Sequence, residues 1–82
     1  MFNINPSGFQ ITFANGITAS VQFDGGNYCE NRNVANLSGA SPKQSRDAEV
    51  IAWDKDGKYI TEALGWRTPD EVAAFLKEMS EK

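Results

Sequence analysis

The sequence predicts an α+β domain in which two antiparallel β-hairpins form a small four-stranded sheet, packed by one C-terminal helix. Three observations predict it: an Asn-Gly turn between two alternating apolar–polar stretches, a second pair of short strands around Asp-Lys-Asp-Gly, and a capped amphipathic helix. The 82 residues fit one domain, because domains usually exceed about fifty residues. We therefore expect residues 1–82 to form a single domain, with a long polar loop over about 24–47 between the hairpins.

The first hairpin is predicted from alternation over residues 9–13 and 17–23, since successive strand side chains face opposite ways. Asn15-Gly16 between them tolerates the positive φ angles of a tight turn. One face of these strands is apolar, and the other is polar yet uncharged, where solvent-facing strands more often carry Lys or Glu. Either chance in a short segment or contact with another chain explains this. The candidate interface residues are Gln10, Thr12, Thr18, Ser20 and Gln22.

The second hairpin is predicted over residues 49–53 and 58–61. Its first strand is apolar on both sides, which is typical of a more central strand covered on one face by a helix. The linking sequence Asp54-Lys55-Asp56-Gly57 resembles a calcium loop, but it lacks the third oxygen ligand and the closing Glu. A plain β-turn and no metal site are therefore expected.

The helix is predicted from Thr68-Pro69-Asp70-Glu71, which has the pattern of a capping box with Pro at the first helical position. The apolar residues that follow recur at the spacing of one helix face, which predicts packing against the sheet. We expect Trp66, two residues before the cap, to lie in the core between helix and sheet. The apolar stripe consists of Val72, Phe75, Leu76 and Met79.

Composition excludes most enzyme classes, because the chain has no histidine and one cysteine. A Ser-His-Asp or Cys-His nucleophile, a Cys/His zinc cage and an internal disulfide are all impossible within a single chain. Cys29 has Glu30 beside it and Arg32 three residues on, so a small buried residue is favoured over a reactive thiolate. The sequence predicts a protein that is not an enzyme and needs no cofactor.

Charge is unevenly distributed around a net value of −3. Residues 1–23 carry no charged side chain, whereas residues 47–82 hold nine acidic and five basic residues. A basic patch is missing, so direct nucleic-acid binding is not expected. Neither a signal peptide nor a run of about 18 apolar residues occurs, so we expect a cytoplasmic protein without a membrane span.

The segment from 24 to 47 needs an explanation, because long structureless loops are uncommon in small domains unless they are functional or disordered. Its first half offers amide groups, a guanidinium and an aromatic face for a polar ligand or a protein surface. Alternatively, the Asn side chains cap turns while Tyr28 and Cys29 fill one end of the core. The candidate binding residues are Asn27, Tyr28, Asn31, Arg32 and Asn33.

Three stretches together are similar to a known group of sequences: residues 15–23 (NGITASVQF), 26–32 (GNYCENR) and 65–72 (GWRTPDEV) with the helix after them. The combination resembles small, mostly uncharacterised proteins encoded by tailed phages and prophages, and it covers about half of the chain. The resemblance implies an accessory viral gene product working in a bacterial cytoplasm. It implies no activity and assigns no ligand residue.

The leading hypothesis for function is a protein that binds and inhibits a bacterial host component, such as an anti-CRISPR or other anti-defence factor. One alternative is a module that sequesters a nucleotide signal through Asn27, Tyr28, Asn31 and Arg32, whose groups suit a phosphorylated base. Another is a minor virion or assembly protein. The uncharged first hairpin also favours a homodimer over a monomer.

Overall fold

A computed structural model describes residues 1–5, 7–23, 28–30 and 44–82. The strands of this part of the chain form one antiparallel sheet whose spatial order equals the chain order, and one helix lies across a single face. The elements are β1 (Phe2–Asn5), β2 (Gly8–Thr12), β3 (Thr18–Gln22), β4 (Ala48–Trp53), β5 (Leu64–Arg67) and α1 (Pro69–Ser80).

The α+β class and the C-terminal helix are confirmed, but the prediction of four strands is wrong. The additional strand is β1, which pairs with β2 in the register Phe2–Ile11 to Asn5–Gly8. Its four residues alternate apolar and polar, but a stretch this short does not distinguish a strand from a turn. Its partner, β2, provides the pairing that defines it.

The second predicted hairpin is correct near its turn and wrong further on. Tyr59 bridges Trp53, and the Ile60 N–H donates to the Ala52 carbonyl at 2.9 Å, but regular pairing then stops. It resumes at β5, where Leu64 lies opposite Val50. The partner strand is therefore interrupted rather than continuous over 58–61.

The two hairpin loops share one design, a turn followed by a glycine with positive φ. The Gly16 N–H donates to the Phe13 carbonyl and the Gly57 N–H to the Asp54 carbonyl, both at 3.0 Å. In these two loops only the glycine has a positive φ, 88° at Gly16 and 82° at Gly57, which is typical of the three-residue loop with a glycine bulge. Asp54 Oδ1 accepts the N–H groups of Asp56 and Lys58, so this side chain stabilises a turn, as predicted.

The core lies between the helix and one face of the sheet, as the two periodicities predicted. The buried residues of the two clusters are mostly alanine and valine, and larger half-buried side chains surround them. Phe75 and Leu76 contact both clusters of buried residues and so join the helix to β3 and β4. The buried cluster residues are Ile17, Ala19, Val21, Ala48, Val50, Ala52 and Met79.

The predicted capping box at the start of α1 is confirmed. The Glu71 N–H donates to Thr68 Oγ1 at 3.2 Å, and the Thr68 N–H donates to Glu71 Oε1 at 2.9 Å. The backbone hydrogen bond from Thr68 is the main reason that the pKa of Glu71 lies below its ordinary value. These bonds satisfy N–H groups that a helix start leaves without partners.

Trp66 is not in the core, contrary to the sequence prediction. Its side chain is 53% exposed, and its backbone has a φ of 58°, which is uncommon for a bulky residue. Ala48 lies opposite Arg67 and Val50 opposite Leu64, so Glu49 alone on β4 faces both Gly65 and Trp66 on β5. This bulge turns the indole outward.

Candidate functional site

The segment without charged side chains forms one side of the sheet. Residues 1–23 contribute β1, β2 and β3, which are adjacent in space. Because the strands follow one another in chain order, the contrast in charge along the sequence becomes a contrast between two halves of the molecule. We call the surface of β1–β3 the neutral half; the charged side chains of the strands and of the helix lie on β4, β5 and α1.

The structure places all five predicted interface residues on one face of the neutral half, opposite the helix. Gln10 lies across from Ser20, and Thr12 across from Thr18. The register extends this face to Asn3 on β1 and to Ile51 and Trp53 on β4. We call this surface the polar face; its residues on the neutral half are Asn3, Gln10, Thr12, Thr18, Ser20 and Gln22.

Hydrogen bonds between neighbouring side chains organise the polar face. The hydroxyl oxygens of Thr12 and Thr18 lie 2.9 Å apart, and Gln22 Nε2 donates to Ser20 Oγ at 3.0 Å. Thr18 and Ser20 are buried at the centre, whereas Gln10, Thr12 and Gln22 around them are half-buried. The result is a surface of neutral hydroxyl and amide groups, and none of the described helices or strands lies on it.

Two aromatic residues border the polar face on the β4 side. Trp53 lies opposite Thr18, and its ring meets the ring of Tyr59 edge-on with centroids 6.2 Å apart. The Tyr59 side chain is 67% exposed. Exposed aromatic side chains beside a neutral surface are typical of the centre of a protein interface. The alternation in residues 49–53 already placed Trp53 on the side away from Val50, but the contact with Tyr59 needed the structure.

An apolar surface lies on the helix side of β1 and β2, because α1 packs along β3, β4 and β5. We call it the apolar overhang, and it consists of Phe2, Ile4, Phe9 and Phe23. Phe2 is 65% and Ile4 87% exposed, and the rings of Phe2 and Phe9 lie 6.2 Å apart. A depression of about 480 Å³ runs over these side chains, and a second of about 350 Å³ continues past Phe9 and Phe23 towards α1.

Of the five predicted binding residues, the structure describes Tyr28; Asn27, Asn31, Arg32 and Asn33 lie outside the described residues. The Tyr28 N–H donates to Glu49 Oε2 at 3.0 Å, and its carbonyl accepts the Trp66 N–H at 2.8 Å. Its backbone therefore lies along the outer edge of β5. Cys29 beside it is completely buried, which agrees with the prediction of a small buried residue. The nucleotide-binding hypothesis remains a prediction.

Glu30 and Arg46 connect the two ends of the described chain around residues 31–43. The Arg46 N–H and Nε donate to the two carboxylate oxygens of Glu30 at 2.6 and 3.0 Å, and the Glu30 N–H donates to Asp47 Oδ1 at 2.6 Å. The backbone hydrogen bond from Arg46, then its side chain, lowers the pKa of Glu30. Arg46, Glu30 and Asp47 therefore have a structural role in holding these two segments together.

The chain matches no protein-family model, no curated protein and no solved structure. Within the described ranges, no three His, Cys, Asp or Glu side chains are grouped to hold a metal ion. No helix in this part of the chain is long and apolar enough to cross a membrane.

Proposed function

We propose that this protein is a non-enzymatic binding protein that contacts another protein through its polar face. The observation that carries the proposal is the uncharged area across β1–β3, bordered by Trp53 and Tyr59. Burying neutral hydroxyl and amide groups against matching partners costs less free energy than burying charges. Interface centres are accordingly poor in charged residues and rich in aromatic ones. Glu49, opposite Gln22, marks where the uncharged area ends.

We further propose that the partner is a bacterial host component, in particular a defence system that the protein inhibits. The support for this part is the resemblance of residues 15–23, 26–32 and 65–72 to phage and prophage proteins. Inhibition by binding suits a small domain, because covering a functional surface of the partner needs no catalytic group. The contact area comes from a continuous sheet face, of which β3 packs against the helix on the opposite side.

The test compares a charge placed on the polar face with the same charge placed elsewhere. Gln10→Lys puts an ammonium group in the middle of the polar face, whereas Ala74→Lys adds it on the exposed side of α1, four residues from both Asp70 and Glu78. We expect wild type and Ala74→Lys to capture the same partner from a bacterial lysate and Gln10→Lys to lose it. Both variants should melt within a few degrees of wild type.

A plating assay tests the host-directed part of the proposal. Bacteria with an active defence system would express wild type, Gln10→Lys or Ala74→Lys and be challenged with a phage that the system restricts. We expect wild type and Ala74→Lys to restore plaque formation and Gln10→Lys to leave the restriction in place. Equal capture by all three proteins would contradict the polar face as the site, and unchanged restriction across a panel of defence systems would contradict the host target.

A further inference from the structure

The outer edge of β1 has backbone groups that point away from the sheet. Met1 and Thr12 exchange two hydrogen bonds, Met1 N to Thr12 O at 3.0 Å and Thr12 N to Met1 O at 2.8 Å. In an antiparallel pair such residues alternate with residues that make no bonds to the partner strand. The N–H and C=O groups of Phe2 and Ile4 therefore face outward. No other strand in the described part of the chain pairs with this edge.

The two edges of the sheet differ in how far their backbone groups are covered. At the β5 edge, the Tyr28 carbonyl accepts the Trp66 N–H, and the bulge at Trp66 interrupts the regular strand. Exposed edges are usually protected by charge, proline, bulges or a covering segment. β1 has the sequence Phe-Asn-Ile-Asn, with no charged side chain, no proline and an unbroken register against β2, and the Met1 ammonium that precedes it donates to Thr12 on β2. This edge has the properties of one that accepts another strand.

We propose that β1 pairs antiparallel with β1 of a second copy, around a two-fold axis through Asn3, to form a ten-stranded sheet. The spacing of the outward groups is self-complementary. When Phe2 of one protomer lies opposite Ile4 of its partner, the N–H of each of these two residues donates to the C=O of the other. The two-fold axis generates the same two hydrogen bonds between Ile4 of the first protomer and Phe2 of its partner. In no other antiparallel register with a two-fold axis do the outward groups of Phe2 and Ile4 on both strands all form hydrogen bonds.

The side chains fit the same register. Residues directly opposite each other share a face, so Phe2 meets the partner's Ile4 on the helix side, and both Asn3 side chains meet on the polar face. The most exposed members of the apolar overhang, Phe2 and Ile4, thereby cover each other. The depression over Phe2, Ile4 and Phe9 becomes part of the contact.

Charge favours a second copy as the occupant. Any two copies of this chain repel each other through a net charge of −3, but residues 1–23 contribute no charged side chain to that total. Pairing through β1 brings the neutral halves together and leaves β4, β5 and α1 of the two protomers at the far ends of the sheet. Both helices lie on one side, and the two polar faces join into one surface. The inference is independent of the proposed function.

Sedimentation or light scattering at a series of concentrations tests the dimer, with any tag placed after Lys82 so that β1 stays unaltered. Ile4→Pro removes an outward N–H without breaking a bond to β2, and Ile4→Val is the matched control that keeps it. Because the dimer loses two symmetric hydrogen bonds, we expect Ile4→Pro to raise its dissociation constant about tenfold or more. We expect Ile4→Val to dimerise like wild type, and circular dichroism to show that all three are folded.

Cross-linking tests the register. Asn3→Cys places two thiols across the two-fold axis, in a non-hydrogen-bonded pair whose Cβ atoms lie about 4.5–5.5 Å apart, close enough for a disulfide after a small adjustment. We expect mild oxidation to link Asn3→Cys into a covalent dimer, while Gln10→Cys on β2 and wild type, with its buried Cys29, stay unlinked.

Three outcomes would overturn the proposal. The first is a monomer at every concentration with no Asn3→Cys cross-link. The second is a dimer that Ile4→Pro leaves intact and Asn3→Cys does not cross-link, which would place the contact on another surface. The third is a monomer whose β1 edge takes up a strand from a different protein instead. Loss of host binding in Gln10→Lys with the dimer intact would leave the inference standing.

Discussion

The side-chain amide of Asn15, in the loop between β2 and β3, donates to the carbonyl oxygen of Met79 in the last turn of α1 at 2.9 Å. A second bond from the same nitrogen reaches the Lys82 carbonyl at 3.1 Å, and Asn15 Oδ1 accepts the Ile17 N–H. Helix ends leave carbonyl groups without partners inside the helix. One side chain thus stabilises the hairpin loop and holds the C-terminal end of the helix against it.

Asn15→Asp should destabilise the protein more than Asn15→Ala. Both lose the donor to Met79, at a cost of about 1 kcal/mol in the free energy of unfolding, and Asp also brings a negative charge to the negative end of the helix dipole. Asp keeps the oxygen that accepts the Ile17 N–H. If Asn15→Asp nevertheless loses more free energy of unfolding than Asn15→Ala, the contact with the helix end is the cause. Urea unfolding measures both. Ala14→Asp adds the same charge at the preceding residue and should lower the free energy of unfolding less. Equal losses of this free energy in all three variants would contradict this account.

Trp66→Gly should leave the free energy of unfolding unchanged or raise it by up to about 1 kcal/mol, because a φ of 58° is unfavourable for Trp and free for Gly. Thermal or urea unfolding measures the difference. Trp53→Gly is the comparison: Trp53 is half-buried and packs against Tyr59, so its loss should cost about 3 kcal/mol. A loss of similar size in Trp66→Gly would show that the indole packs in the core after all.

Gly65→Ala should loosen the cover of the β5 edge. A Cβ at this position would lie 2.5 Å from the Cβ of Tyr28, so the backbone of Tyr28 must move away. We expect a cost of about 1–3 kcal/mol and faster hydrogen exchange at the Trp66 amide, which donates to the Tyr28 carbonyl. Gly57→Ala is the control, because its Cβ meets nothing within 4 Å and only its positive φ resists the change. Unchanged exchange at Trp66 in Gly65→Ala would contradict the close contact.

The carboxyl groups of Glu71 and Glu30 should make the free energy of unfolding vary with pH in the acid range. The pKa of Glu71 is lowered chiefly by the Thr68 backbone hydrogen bond, and that of Glu30 chiefly by the Arg46 backbone hydrogen bond. A carboxyl whose pKa is lower in the folded state contributes stability above its unfolded pKa, near 4.3 by the usual value for Glu, and that stability disappears as pH falls through the folded pKa. We therefore expect stability to fall below about pH 4.5.

Glu71→Gln and Glu30→Gln should each flatten this acid dependence, with melting temperatures measured between neutral and acid pH. Glu62→Gln is a suitable control, because among the described residues this exposed side chain forms neither a helix cap nor an ion pair, and the acid dependence caused by Glu71 and Glu30 should remain in it. NMR titration gives the individual pKa values directly. A pKa for Glu71 at or above its ordinary value would contradict the capping-box contribution.

Phe75→Ala should cost about 3–5 kcal/mol in the free energy of unfolding, enough to endanger a domain of this size. Phe75 contacts both clusters of the core, so its truncation opens a cavity between helix and sheet. Ala74→Lys, on the neighbouring exposed position, tests whether the effect comes from burial rather than from any change in α1. A fully folded Phe75→Ala protein with an unchanged melting temperature would contradict the packing of the helix on the sheet.

Local patterns predicted the elements that depend on neighbours in sequence. The capping box at Thr68 and Glu71, the helix stripe from Val72 to Met79 and the glycine turns at Gly16 and Gly57 are each determined within a few residues. The alternation of β2 and β3 also assigned the polar face correctly. By contrast, β1 and the position of β5 depend on strands far away in the sequence, and no short pattern specifies where such pairing begins or stops.

The amino-acid sequence by itself determined the class of fold, the faces of the central strands and the separation of neutral from charged residues. Only the tertiary structure decided which edge of the sheet is covered by Tyr28, that Trp66 points outward, and that the neutral residues form one continuous half of the molecule. The reason is physical: side-chain direction follows from local geometry, whereas exposure depends on which segments pair across the sheet. This pairing also places β1 at the end of the sheet, with one edge that no described strand covers.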